Sequence, residues 1–309
     1  MTRNTLRRAA VWLANRAAGS GYHVLHRPNR VYLDIEQPTA SNNAPRRGHG
    51  RPPHQRLVAL LAAHRAAFEA AIDLVGTFGA DLVRIDRHPH DGLEPTWDNQ
   101  FFTGIDAASL YAFLRDRSPA RYVEGNSTRF AARAKRDGGL LTEIVSIDPE
   151  PRAGIDALCD TVVRQRLEDA DLGVFADLGP GDIVLFDGSH RLFMNNDVAT
   201  FFLDVLPGLH PEVLVGVHDI TLPEDYYAAC APNYWTEQYV LAMALLAAGP
   251  QRAEPVLPCH YICIEPSLKV RLGSMWDGIG MAGLNAYGTT FWLHARMRDE
   301  TTVNRRAGP

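Results

Sequence analysis

Four short apolar runs between residues 121 and 219 decide the fold. They are Arg121-Tyr-Val-Glu124, Thr142-Glu-Ile-Val-Ser-Ile-Asp148, Asp182-Ile-Val-Leu-Phe-Asp187 and Val213-Leu-Val-Gly-Val-His218-Asp219. Each run is rich in apolar and β-branched residues, ends in an acidic or His residue and leads into Gly, Pro or polar residues, which is typical of a buried parallel strand. The polar ends of such strands meet at one edge of the sheet, where open α/β sheets bind their ligands.

Helical segments alternate with these runs. The predicted strands lie near 121–124, 142–148, 161–164, 182–187 and 213–218. The predicted helices between them lie near 127–136, 153–159 and 196–206. This alternation indicates right-handed crossovers and therefore a parallel sheet.

The segments after the fifth strand are harder to assign. We expect, in chain order, a loop, a helix, a strand, an irregular glycine-rich stretch and a last strand, at 221–233, 234–248, 256–264, 273–288 and 289–294. The pair Cys259-His260 with Cys263 resembles half of a zinc site, but no second pair accompanies it. We interpret these cysteines as core residues.

The N-terminal region has a composition of its own. Residues 1–56 contain ten Arg against Asp34 and Glu36, which gives this region a charge of +8. The whole chain has a net charge of -5, so the remaining residues carry a charge of -13. We interpret this region as a basic arm with a short helix over 5–18 and a linker. No aromatic or nucleic-acid motif accompanies the arginines, so we expect a solvated arm and no nucleic-acid partner.

Three further segments follow the arm in the predicted domain organisation. Residues 57–118 form a helical cap with a long helix over 57–78, residues 119–296 form the sheet domain, and residues 297–309 form a tail. The apolar N-terminal helices offer a surface through which two copies of the chain could form a homodimer.

Composition excludes several classes of protein. The hydrophobic share of 46% allows a full core, and the absence of a run of 18 apolar residues argues against a membrane span. No secretory leader is evident, and four cysteines do not suggest a disulfide framework. We therefore expect a cytoplasmic protein.

The first strand leads into a glycine turn that can bind an anion. The order Glu124-Gly125-Asn126-Ser127 places that turn before a helix N-terminus, whose N–H groups and dipole favour a negative group. Asp148 ends the second strand 23 residues after Gly125, which is the spacing at which a carboxylate holds a ribose diol. The alternative for Asp148 is a local capping role.

Four side chains at the ends of the fourth and fifth strands are expected to converge: Asp187, His190, His218 and Asp219. Carboxylates suit Mg²⁺, while imidazoles favour Mn²⁺, Fe²⁺ or Zn²⁺. Without a metal, His218 or His190 could act as a general base. A core histidine at 218 and a plain loop residue at 190 are the alternatives.

The sequence resembles the class I S-adenosylmethionine-dependent methyltransferases from about Trp97 to His294. Within that class it is most similar to the bacterial subgroup of small-molecule and sugar O-methyltransferases and cephalosporin-hydroxylase-like proteins. The resemblance rests on Asn126-Ser-Thr-Arg-Phe130, Ser146-Ile-Asp-Pro149, Phe186-Asp-Gly-Ser-His-Arg191, Val217-His-Asp-Ile220, Leu222-Pro-Glu-Asp-Tyr226 and Tyr234-Trp-Thr-Glu-Gln-Tyr239.

The resemblance implies a Rossmann-like sheet in the order 3-2-1-4-5-7-6, with the last strand antiparallel. It implies S-adenosylmethionine as cofactor, with a cofactor-binding set of Glu124, Gly125, Asn126, Ser127, Asp148 and Asp187. A divalent cation such as Mg²⁺ would be held by Asp187, His218 and Asp219. The catalytic set would be His218, His190 and Asp187, and the acceptor a hydroxyl of a small molecule such as a sugar or secondary metabolite.

The chain departs from the family at two places. His218 stands where metal-dependent relatives carry an acid. The glycine loop after Glu124 is about three residues shorter than the family pattern, which removes a glycine that allows close backbone approach to the cofactor. The shortened loop leaves open a binding protein on a methyltransferase fold with impaired catalysis. A metal-dependent oxygenase also stays open, since His and Asp could form a facial triad.

Overall fold

The computed structural model describes residues 44–296 apart from 89–91, 100, 125–126, 152–153 and 249–252, together with the backbone of two short N-terminal strands. The chain divides into two compact units, Met1–Ala44 and Pro45–Pro309. In the first unit β1 (Leu25–Arg27) and β2 (Arg30–Tyr32) pair antiparallel. The helix expected over 5–18 and the tail expected over 297–309 lie outside the described residues.

A seven-stranded sheet forms the centre of the second unit. Its strands are β3 (Arg121–Glu124), β4 (Glu143–Ile147), β5 (Thr161–Val163), β6 (Ile183–Phe186), β7 (Leu214–Val217), β8 (Ala253–Pro258) and β9 (Phe291–Ala295). They are ordered β5-β4-β3-β6-β7-β9-β8, which confirms the predicted 3-2-1-4-5-7-6 order. The first five pair in parallel, and β9 runs antiparallel to both of its neighbours, also as predicted.

Ten α-helices accompany the strands among the described residues. They are α1 (Gln55–Ala63), α2 (Arg65–Thr77), α3 (Gly79–Leu82), α4 (Gly104–Arg117), α5 (Thr128–Gly138), α6 (Gly173–Ala176), α7 (Asp197–Thr200), α8 (Glu237–Ala248), α9 (Cys259–Ile264) and α10 (Pro266–Gly278). None of the helices within this described part combines the length and the apolar character needed to cross a membrane.

Helix α4 connects the N-terminal helices to the sheet. All of its residues from Gly104 to Leu114 are buried, and Trp292 of β9 donates a hydrogen bond of 2.9 Å from Nε1 to the hydroxyl of Ser109. The helix starts at Gly104 with φ +56°, where an added Cβ would lie 2.2 Å from the carbonyl oxygen of Tyr287. Only glycine fits this close approach without strain.

The long helix predicted over 57–78 is wrong in one respect, because the structure breaks it into α1 and α2 at His64. The Nδ1 atom of His64 lies 3.0 Å from the carbonyl oxygen of Leu60. A side chain that bonds to a backbone carbonyl one turn earlier competes with the helical ladder, which accounts for a break at this position.

Three further predictions need correction. The apolar run at 256–264 is a strand only to Pro258, and Cys259–Ile264 is helix α9, because a short apolar run fits a buried helix as well as a strand. The segment at 273–288 is helical as far as Gly278, where α10 ends. The helix predicted at 153–159 shrinks to one 3₁₀ turn, Asp156–Leu158.

The cysteine prediction is confirmed. Cys259 is fully buried, Cys263 packs against the core, and both are free thiols. His260, between them, contacts the Tyr287 hydroxyl at 2.8 Å through Nδ1 and the Glu224 carboxylate at 3.2 Å through Nε2. Cys259, His260 and Cys263 therefore all have structural roles within the fold.

Candidate functional site

The carboxyl ends of the parallel strands place the candidate residues at one edge of the sheet. Glu124 is the last residue of β3, and Asp148 follows β4 directly. Asp187 follows β6 and His218 follows β7, whose last residues Phe186 and Val217 are paired in register. Because the strands end side by side, the polar residues after them become neighbours.

Asp187, His218 and Asp219 form a compact cluster. Each offers one ligand atom, and these atoms all lie within 4.8 Å of one another. The Nδ1 atom of His218 lies 3.5 Å from Asp187 Oδ1 and 3.9 Å from Asp219 Oδ1. Asp219 adopts φ +55°, a left-handed conformation that Asp tolerates better than most residues.

His218 is buried, and the carboxylate of Asp106 lies beside its Nε2 atom. Its Nε2 atom lies 3.6 Å from Asp106 Oδ2, while its Nδ1 atom has no hydrogen-bond partner within the described residues. Burial alone would lower the pKa of this imidazole, but Asp187, Asp106 and Asp219 raise it well above its usual value. A buried nitrogen without a bond, facing two carboxylates, fits a metal ligand whose other nitrogen is oriented by an acid.

His190 also contacts the two carboxylates of this cluster. Its Nε2 atom lies 3.5 Å from Asp187 Oδ1 and 3.5 Å from Asp219 Oδ2. Its Nδ1 atom hydrogen-bonds to Glu237 Oε2 at 2.8 Å. The backbone at His190 has φ +60°, a left-handed conformation that is uncommon for residues other than glycine, although His adopts it more readily than most.

His190 and Glu237 are electrostatically coupled. Burial raises the pKa of Glu237 to about 7, although the bond to His190 works in the opposite direction. Burial lowers the pKa of His190, but Glu237, Asp187 and Asp219 together raise it above its ordinary value. The carboxylate therefore both orients the imidazole and makes it a stronger base.

The sequence did not reveal the roles of Asp106 and Glu237. Glu237 is fully buried at the start of α8, and Asp106 is buried in α4. Asp106 also accepts hydrogen bonds from the N–H groups of Thr289 at 2.8 Å and Thr290 at 2.7 Å. An acid at the start of an otherwise apolar helix was the available signal, yet a first-turn acid is ordinarily explained by the helix dipole.

Two cavities meet at this edge. The first, which we call the Asp148 cavity, has a volume of about 430 Å³ and is lined by residues including Glu124, Asp148, Arg166, Phe175, Asp187 and Phe201. The second, which we call the His218 cavity, has a volume of about 790 Å³ and is lined by residues including Phe102, Ser127, Arg129, His190, His218, Asp219 and Trp235. Both are lined by Asp187, Gly188 and Ser189, so they border the same segment.

Asp148 forms a local turn and also borders a cavity. Its Oδ1 atom accepts a hydrogen bond of 2.8 Å from the N–H of Glu150, two residues later, but no helix begins there among the described residues, and the next helical turn starts at Asp156. Asp148 also lines the Asp148 cavity, where a carboxylate is available to a ligand. The local turn and ligand binding are thus compatible at this position.

Glu124 is buried at the start of the loop before α5. Its Oε2 atom accepts hydrogen bonds from the Ser127 N–H at 2.5 Å and the Ser127 hydroxyl at 2.7 Å, and the Thr128 hydroxyl donates to Oε1. Burial nevertheless raises the pKa of this carboxyl to about 7. The predicted cofactor residues Gly125 and Asn126 lie outside the described residues.

Comparison with known proteins agrees with this geometry. The family described as a methyltransferase domain matches residues 122–220, a span that contains Glu124, Asp148, Asp187, His218 and Asp219. A search of curated proteins finds no match to the chain. The matched span supports a methyltransferase domain in this part of the chain, and the seven-stranded sheet is consistent with a Rossmann-like methyltransferase fold.

Proposed function

We propose that the protein is an S-adenosylmethionine-dependent O-methyltransferase that acts on a hydroxyl group of a small molecule. The observation that carries this proposal is the meeting of two cavities at Asp187. One cavity bears the carboxylate suited to a ribose, and the other bears a histidine–carboxylate cluster. A two-substrate transfer needs this arrangement, since the reacting groups must be aligned on a shared border.

The Asp148 cavity is suited to the methyl donor. The Asp148 carboxylate would bind the ribose hydroxyls, and the apolar walls at Phe175 and Phe201 would enclose the base. Glu124 stabilises the loop between β3 and α5 through Ser127 and Thr128. The donor would supply an electrophilic methyl group on a sulfonium sulfur.

The His218 cavity is suited to the acceptor and its activation. Asp187, His218 and Asp219 would hold a divalent cation, which favours the ionised form of a bound hydroxyl. The unbonded Nδ1 of His218 supports this assignment. His190, held by Glu237 at 2.8 Å, presents Nε2 to the same cluster and would accept the hydroxyl proton.

Two measurements test the proposal. The first is calorimetric titration with S-adenosylhomocysteine with and without Mg²⁺, for which we expect binding. The second is transfer of a labelled methyl group to a panel of hydroxyl-bearing small molecules by the wild type and by Asp219→Asn. Absence of S-adenosylhomocysteine binding in both conditions contradicts the proposal, while turnover unchanged in Asp219→Asn contradicts the role of the cation.

A second candidate is a ligand-binding protein on this fold without catalysis. One observation favours it, namely that Glu124 occupies the N–H and hydroxyl groups of Ser127 that a cofactor would otherwise use. Under this alternative, small molecules bind in the His218 cavity while S-adenosylhomocysteine does not bind. The same titrations therefore separate the two candidates.

A further inference from the structure

One arginine that lines the His218 cavity has no partner in the part of the chain that the structure describes. Arg129 lies in the first turn of α5 and forms no ion pair or hydrogen bond with any described residue. Its Nε atom is buried and unbonded. A guanidinium carries five donors in a fixed fork and remains charged, so this half-buried side chain with an unbonded Nε has donors open to a ligand in the cavity.

Other arginines close to Arg129 differ from it. Arg133 and Arg136, on the same helix, are both paired with Glu94, and Arg133 also with Asp137. Arg191, which also lines the cavity, donates to the carbonyl oxygens of Asn233 and Ser189. The unsatisfied state of Arg129 is therefore not a general property of this surface.

Three donors close to Arg129 are already engaged within the described part of the chain. The N–H and hydroxyl of Ser127 donate to Glu124, and the hydroxyl of Thr128 does the same. An anion entering this end of the cavity would therefore meet the guanidinium of Arg129 as the charged donor in the first turn of α5. Elsewhere in the cavity an anion would be repelled by the carboxylates of Asp187 and Asp219, which belong to the cluster with His218.

We propose that Arg129 is an anion-binding residue of the His218 cavity and holds a carboxylate or phosphate group of a small molecule bound there. This inference rests on the proposed function for the identity of the ligands. Two sources can supply the anion, namely the α-carboxylate of the methyl donor or an acidic group on the acceptor. In the second case the acceptor would be an acidic small molecule with a free hydroxyl.

The test is calorimetric titration of wild type, Arg129→Gln, Arg129→Lys and the control Arg136→Gln. The ligands are S-adenosylhomocysteine, 5′-methylthioadenosine, which lacks the amino-acid part, and inorganic phosphate added to the protein with and without nucleoside. Arg136 is a matched control because it lies on the same helix and is bound to Glu94 at the surface. Circular dichroism of each variant establishes that it is folded.

If Arg129 holds the donor carboxylate, Arg129→Gln lowers the affinity for S-adenosylhomocysteine by about tenfold or more. The affinity for 5′-methylthioadenosine then stays unchanged. If it holds an acceptor group, both nucleosides bind unchanged but phosphate binding is lost. Arg129→Lys, which keeps the charge but not the fork, should show a smaller loss in either case.

Equal binding of all three ligands by Arg129→Gln and wild type would overturn the inference. Failure of the proposed function looks different, because the wild type itself would then bind neither nucleoside. In that event the phosphate titration without nucleoside still tests Arg129, since loss of phosphate binding in Arg129→Gln alone would support its role.

Discussion

The buried carboxyl of Glu124 makes the stability of the protein depend on pH in a specific way. Its pKa is about 7 in the folded protein against 4.5 for a free Glu side chain, because burial disfavours the charged form. The folded-state pKa is raised, so this group's stabilising contribution is complete below pH 4.5 and is lost as the pH rises through 7. A difference of about 2.5 units corresponds to about 3 kcal/mol of unfolding free energy.

Glu124→Gln removes that titration while keeping the shape of the side chain. Its amide oxygen can still accept from the N–H and hydroxyl of Ser127, and the Thr128 hydroxyl can rotate to accept from the amide group. We expect the altered hydrogen bond between residue 124 and Thr128 to lower the unfolding free energy by about 1 kcal/mol. The variant should then be about 2 kcal/mol more stable than wild type at pH 8 and about as stable as wild type at pH 5, where the carboxyl of the unfolded wild type is already largely ionised.

Urea unfolding at pH 5, 6, 7 and 8, followed by tryptophan fluorescence, measures this difference. The matched control is Glu212→Gln, because Glu212 is an exposed residue away from the sheet edge. This variant removes one exposed carboxyl and is measured at each pH beside Glu124→Gln. Subtracting the wild-type curve removes the contribution of the histidines, which titrate in both proteins. A Glu124→Gln difference that stays constant from pH 5 to pH 8 would refute the reasoning.

Three other changes test the site and the fold. Asp219→Asn should lower Mn²⁺ affinity by about tenfold or more in a calorimetric titration, and EDTA should then have little further effect on methyl transfer; equal Mn²⁺ affinity would remove Asp219 from the ligand set. Glu237→Gln should reduce kcat by about tenfold to a hundredfold while S-adenosylhomocysteine affinity stays unchanged, and an unaltered kcat would show that His190 needs no orienting acid. Gly104→Ala should lower the unfolding free energy, measured in urea, by about 3 kcal/mol, because its Cβ would lie 2.2 Å from the Tyr287 carbonyl oxygen. A variant as stable as wild type would mean that the backbone relaxes.

The sequence predicted the sheet and its polar edge because both depend on local pattern. Val-rich runs that end in Asp187 and His218 mark buried strands whose tips must lie together once the strands are paired. The order of the strands came from the family resemblance, which supplied the positions of β8 and β9. The family match over residues 122–220 spans β3 to β7 and ends before β8 and β9.

The rest depends on contacts between distant residues. Asp106 reaches His218 from a helix more than a hundred positions earlier, and Glu237 reaches His190 from α8. No spacing in the sequence connects these pairs. The run at 256–264 was misjudged for a different reason, since a short buried helix and a buried strand share an apolar composition and the turn at Pro258 decides between them.

The walls of the His218 cavity come from two kinds of structure. Its reactive groups follow rigid strands, whereas Phe101, Phe102 and Trp235 belong to connecting segments. Loops accept substitution and changes of length far more readily than the core does. The scaffold thus separates what must be conserved for reactivity from what can be exchanged, and a laboratory seeking a new acceptor would vary residues 95–102 and 233–235 first.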